Sequence, residues 1–219
     1  MELCIGIISY LPDDLEVREV RIKRLESLLN SCDIHFKLPI IIVAQNWNEY
    51  SLPKIFNSKI IIYKYKNKLG ITRARSELRN LFLESEFSHI IMLDDDMELS
   101  KNQKDFDYYL DTIRSKPEID YFYIENYLNN FCTLTKRGFF KVDYDLNVNP
   151  ENGTGFEDWI FSVKCNKVLP NYKMASNLPL KPRKEFLNDK YTTWDPKSEK
   201  LSISNNLISK EIIKKIRNS

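Results

Sequence analysis

The chain has 219 residues, enough for one large domain or a domain with a small appendage. Net charge is +2, and no run of about 18 apolar residues is present, which argues against a membrane span. Only two histidines occur, His35 and His89, which excludes a His-rich zinc site and argues against a Ser-His-Asp triad. Met1 to Gly6 lacks a basic leader and enters a strand pattern at once, so a signal peptide is not expected. Cys4, Cys32, Cys132 and Cys165 are far apart and lack metal-ligand spacing, which fits reduced thiols in a cytoplasmic protein.

Leu3–Tyr10 is a continuous apolar run of the kind buried in a parallel sheet. Leu11-Pro12-Asp13-Asp14 breaks it, and Val17, Val20, Leu25, Leu28 and Leu29 then recur at helical spacing. Ile40–Ala44 and Ile60–Tyr63 read as two more buried strands, the second followed by a basic loop from Lys64 to Gly70. Ile71, Ala74, Leu78, Leu81 and Phe82 mark one face of a helix. His89–Leu93 is the fourth strand. Strand–helix alternation over the first hundred residues predicts a right-handed, mostly parallel α/β sheet.

Phe106, Tyr109, Leu110 and Ile113 predict a helix that Pro117 stops. Asp120–Ile124 and Asn130–Leu134 read as strands, Lys136-Arg137-Gly138 as a turn, and Phe139–Val142 as renewed pairing. A glycine-bearing loop, Pro150–Gly155, leads into a helix from Phe156 to Cys165. The segment from Leu169 to Leu201 is expected to be irregular, with a last helix from about Ser209 to Arg217. From Lys167 onward there are 12 Lys/Arg and 5 Asp/Glu, net +7, against 21 and 26, net −5, in the first 166 residues. Such a tail is either a surface for a phosphate-bearing partner or a solvated face.

The fourth strand runs straight into Asp94-Asp95-Asp96. Three adjacent carboxylates repel one another unless a cation or hydrogen-bond donors neutralise them. They fall at a strand's carboxyl end, where open α/β sheets bind ligands. Asp94 and Asp96 would share one side of an extended segment and could hold a divalent ion that also takes phosphate oxygens. The alternative is a solvated acidic loop capping the next helix. Gly70, followed by Arg73 and Arg75 in the first turn of a helix, suits an anionic ligand, although arginines on helix surfaces are common. Glu157 and Asp158 open a helix, which is the ordinary macrodipole preference. Alternatively, the glycine loop delivers a carboxylate beside Trp159, whose apolar wall favours general-base use.

Together these segments resemble the GT-A glycosyltransferases, especially the inverting family 2 group, over roughly residues 3 to 166. The likeness rests on Ile7-Ile8-Ser9-Tyr10, on Leu69-Gly70 with Ala74-Arg75, on the DxD-like Asp94-Asp95-Asp96, and on the ED-like Gly155-Phe156-Glu157-Asp158-Trp159. It implies a GT-A domain at 1–166 built on a Rossmann-like sheet with a small antiparallel addition. A basic extension at 167–219 would pack on the same domain. It implies a nucleotide-sugar donor, with a UDP-sugar expected, and Mn²⁺ or Mg²⁺ as cofactor.

By the same resemblance, Asp96 would bind the ion, Asp94 the ion or the ribose, and Asp95 is expected with Asp94 among the residues that bind the nucleotide. Ser9 and Tyr10 would line the nucleoside pocket, and Arg75 would sit near the base. Asp158 and Glu157 would be the catalytic pair. Asp158 is expected to deprotonate the acceptor, with inversion, and Glu157 to hold the preceding loop. The acceptor could be a polysaccharide, a protein glycan or a hydroxylated DNA base, anionic acceptors included. The chain departs from the family where Gln45 and Asn46 follow the second strand in place of an acid, and no later histidine offers a third metal ligand. A nucleotidyltransferase is the rival enzyme, but Ser9–Asp14 is not the Gly-rich basic loop it needs. A non-catalytic sugar- or nucleic-acid-binding module is the rival outside enzymes.

Overall fold

The structure, a computed structural model, describes residues 1–53, 55–124, 131–144 and 157–180, with Lys214; the side chains of residues 157–159, 179 and 180 are outside the description. Its centre is a seven-stranded sheet in the order β3-β2-β1-β4-β7-β6-β8. The strands are β1 (Leu3–Tyr10), β2 (Ile40–Gln45), β3 (Ile60–Tyr65), β4 (His89–Asp94), β6 (Tyr121–Tyr123), β7 (Phe131–Thr135) and β8 (Asn171–Lys173). A small second sheet pairs β5 (Glu98–Leu99) antiparallel with β9 (Pro179–Leu180). Pairings β1–β2, β1–β4, β2–β3 and β6–β8 are parallel, while β7 runs antiparallel to both β4 and β6.

Helices cover both faces, which is why β1, β2 and β4 are apolar without alternation. One face carries α1 (Leu15–Ser31), a π-helical turn at Cys32–Phe36 and α3 (Gln103–Arg114), packed on Ile5, Ile7, Ile42 and Ile91. The other carries α2 (Ile71–Glu84), α4 (Lys136–Lys141) and α5 (Glu157–Val168), packed on Cys4, Ile41, Ile90 and Met92. Gly6 lets α2 approach closely. A Cβ there would lie 2.5 Å from Ile90 Cδ1 and 2.9 Å from Leu78 Cδ2. All four cysteines are buried, and none of them forms a disulfide.

Two expectations change. Lys136–Lys141 is a helix, not a turn and a strand. The Thr135 hydroxyl accepts from the Gly138 N–H at 2.9 Å and caps that helix. Gly138 serves close packing: a Cβ would come within 3.2 Å of the Asp120 carbonyl oxygen. The stretch after Leu169 also contains two short strands, β8 and β9. They are three and two residues long, too short for period-two patterning to register. Beyond residue 180 the described residues comprise Lys214 alone, so the last helix lies outside them apart from that residue.

Candidate nucleotide-binding cleft

β1 neighbours both β2 and β4, so chain connections leave it in opposite directions across the sheet. The carboxyl ends of β1 and β4 are therefore the switch point where an open α/β sheet leaves a crevice. A cleft of about 140 Å³ lies there, lined by Ile8, Tyr10, Arg21, Gln45, Lys68, Gly70, Ile71 and all three acids, Asp94, Asp95 and Asp96. Gly70 precedes α2 with φ 82°, a left-handed conformation that suits glycine at this rim.

The acids share the cleft by a different geometry from that expected. β4 ends at Asp94, and the Met97 N–H donates to the Asp94 carbonyl at 3.2 Å, closing a turn over Asp95 and Asp96. Two arginines grip the first two acids. Arg75 Nη2 donates to Asp94 Oδ1 at 2.9 Å, and Arg21 Nη2 donates to Asp95 Oδ1 at 2.9 Å. Arg75 is almost wholly buried and lies behind the cleft wall. Burial pushes the Asp94 carboxyl above its ordinary range, against the pull of Arg75. Asp96 is exposed, yet the crowded cleft mouth and then the charges of Asp95 and Asp94 raise it to about 6.

Among the described residues, Asp95 Oδ2 is buried and without a hydrogen-bond partner. No group of three or more His, Cys, Asp or Glu side chains among the described residues could hold a metal. Each arginine holds one oxygen, so Asp94 and Asp95 keep Oδ2 free of it, and neither arginine holds Asp96. One or two carboxylates suit an ion such as Mg²⁺, which keeps waters and takes substrate phosphates as its other ligands. Asp94, expected as a ligand, has one oxygen committed to Arg75.

Ser9 is buried, with its hydroxyl unpartnered among the described residues, and it does not line the cleft as its neighbours Ile8 and Tyr10 do. Tyr10 lines the cleft, with Lys68 Nζ 5.0 Å from its ring centre. Gln45 lines it too, and its Oε1 accepts from the Leu69 N–H at 2.8 Å. Asn46 has φ 58°. Its Nδ2 donates to the Leu11 carbonyl and to Asp13 Oδ1, both at 2.8 Å, and its N–H donates to the Tyr65 carbonyl at 2.8 Å. One residue thus ties together the chain segments leaving β1, β2 and β3.

Glu157 and Asp158 open α5, while their side chains and the loop at residues 150–155 lie outside the described residues. The backbone still orients the helix. Pro170, just after α5, accepts at its carbonyl from the Asp120 N–H at 2.9 Å, at the amino end of β6. β6 runs parallel to β4, since both oppose β7. The first turn of α5 therefore points toward the edge of the sheet that holds the acids.

The sequence did not mark Arg21 and Lys68 as individual cleft residues, and it marked Gln45 only as a departure from the family. Arg21 did carry a signal. It stands four residues before Leu25 and seven before Leu28, on the buried stripe of α1, where a solvated arginine has no place.

No protein-family model matches the sequence, and neither does any curated protein. Solved structures do match. S. aureus TarS, residues 1–349, superposes with TM-score 0.58 at 11% identity, covering 82% of this chain and 59% of that one. The same protein in complex with UDP gives 0.59 at 10%, covering 82% and 59%. In complex with UDP-GlcNAc it gives 0.57 at 10%, covering 82% and 57%. The likeness is one of fold. It agrees with the mostly parallel α/β sheet, with its antiparallel addition, expected from the sequence. This chain spans about three-fifths of the TarS chain it matches. No helix among the described residues is long and apolar enough to cross a membrane.

Proposed function

We propose that this protein transfers a sugar from a nucleotide-sugar donor, a UDP-sugar in the first instance, to an acceptor hydroxyl. The observation that carries the reading is the carboxylate turn Asp94-Asp95-Asp96 in an open cleft at the switch point between β1 and β4. The fold shared with a protein solved in complex with UDP and with UDP-GlcNAc supports the choice of donor.

In this reading the nucleoside lies toward Tyr10 and Gln45, and the diphosphate lies against the acidic turn. Asp94 and Asp96, with Asp95 between them, would hold Mn²⁺ or Mg²⁺. When bound, the ion would offset the negative charge of the leaving nucleoside diphosphate. Asp158 takes the proton of the attacking hydroxyl. Glu157 steadies the loop before α5. A second cleft, of about 400 Å³, meets the first at Asp96 and is lined by Arg24, Ser27, Asn30, His35 and Lys101 among others. It offers an acceptor a route to the same carboxylate.

The test is calorimetric titration of UDP and UDP-GlcNAc with Mn²⁺ and with EDTA, followed by an assay of donor hydrolysis. Metal-dependent binding with slow hydrolysis is the expected result. Binding that is indifferent to EDTA would remove the ion from the reading, and no binding of any nucleotide would remove the reading itself.

A further inference from the structure

Arg21 is mostly buried on α1, and its partners span two strand ends. Nε donates to the Tyr10 carbonyl at 2.9 Å, and Nη2 donates to Asp95 Oδ1 at 2.9 Å. The charge of Asp95, first of all, holds its pKa above the ordinary value. Among the described residues, Nη1 takes no hydrogen bond and is not sealed from solvent. Arg21 is also the one guanidinium in the cleft lining among the described residues, Arg75 being behind the wall and Lys68 lying over the Tyr10 ring.

We infer that Arg21 is a ligand-binding residue of this cleft. Two of its nitrogens lock the end of β1 to the acidic turn, and the third, Nη1, donates to a phosphate oxygen of the bound nucleotide. The inference rests on the nucleotide reading above. A guanidinium suits the part because it is planar, permanently charged and already fixed, so little freedom is lost when it takes one more acceptor. Asp95 offsets much of its charge. The contribution is therefore a directed, charge-assisted hydrogen bond rather than long-range attraction.

The test compares UDP with uridine, which lacks the phosphates, by calorimetry with Mn²⁺ on wild type, Arg21→Met and Arg21→Lys, each checked by thermal melting. The loss of one hydrogen bond to a charged group predicts UDP binding weaker by roughly ten- to a hundredfold in Arg21→Met. Uridine binding should be unchanged. Arg21→Lys should fall between, since an ammonium keeps the charge but cannot reach all three partners. If UDP and uridine weaken together, or neither weakens, Arg21 is only a strut and the inference is overturned. Should Arg21→Met fail to fold, a folded Arg21→Lys with the wild-type ratio of UDP to uridine affinity overturns it equally. Wild type that binds neither ligand overturns the nucleotide reading and this inference with it; wild type that binds both, with variants indistinguishable from it, overturns the inference alone.

Discussion

Carboxylates paired with arginine occupy both edges of the sheet, and they face opposite circumstances. At the amino edge Asp120 is fully buried and surrounded. Arg137 Nε donates to its Oδ1 at 2.7 Å, the Thr135 hydroxyl donates to the same oxygen at 2.5 Å, and Lys141 Nζ lies 3.7 Å from Oδ2. One acid meets two cations there, beside α4. At the carboxyl edge three acids meet the two arginines that touch them, in an open cleft. A carboxylate outnumbered by its cations fastens structure, even with Asp120 Oδ2 lacking a hydrogen-bond partner among the described residues. A carboxylate left in excess beside open space is ready for a ligand that brings positive charge. Pairing with arginine alone therefore does not separate a staple from a site; the balance of charge and the room left over do.

The widest separation between the two edges is expected from Asp158→Asn. Loss of a general base should lower turnover by about two to four orders of magnitude with UDP affinity nearly unchanged, because the role exists mainly in the transition state. Steady-state rates beside calorimetric affinities measure this, and a Glu157→Gln protein that is dead while Asp158→Asn works would reverse the assignment. Asp96→Asn comes next. It should remove most Mn²⁺-dependent UDP binding and leave the melting temperature almost where it was, since Asp96 is exposed.

Asp120→Asn should do the opposite. Losing charge-assisted bonds at a buried site should cost about 2 kcal/mol in urea unfolding, with UDP affinity untouched. An Asp120 variant that lost nucleotide binding while keeping its stability would break the comparison. The smallest effect is expected from His89, near the same edge. Burial, chiefly, lowers its folded pKa to about 4 from 6.5. As pH falls, the unfolded chain takes up the proton before the folded one does, so stability is lost between about pH 6.5 and 4. The loss between pH 7 and 5.5 should be about 1 kcal/mol, and His89→Asn should flatten it.

Much of the frame was legible because burial on two faces writes unbroken apolar runs, as in Leu3–Tyr10 and Ile40–Ala44. The acidic strand end was legible because three adjacent carboxylates directly after such a run call for a cation or donors to offset their repulsion. Less legible was what depends on contacts distant in sequence. Lys136–Lys141 is helical through a cap on Thr135 and a close approach to Asp120, neither of which has a periodic signature. Arg75 was expected near the base, and nothing in the sequence signalled that the fold would bury it and pair it with Asp94. Arg21 and Asp95 are 74 residues apart, and only the sheet order brings them together.

The Asn46 tie has a consequence for timing. With the segments after β1, β2 and β3 already bonded to one another through a single side chain and its backbone, that rim has little left to order when a ligand arrives. The entropy lost on binding then falls mainly on the ligand. Association on this side of the cleft should follow one fast exponential, governed by encounter and orientation, without a slow rearrangement step. Asn46→Ala, which keeps the backbone bond to Tyr65 but loses the side-chain bonds to the segment after β1, should add that step to a stopped-flow trace before it changes what the cleft can bind.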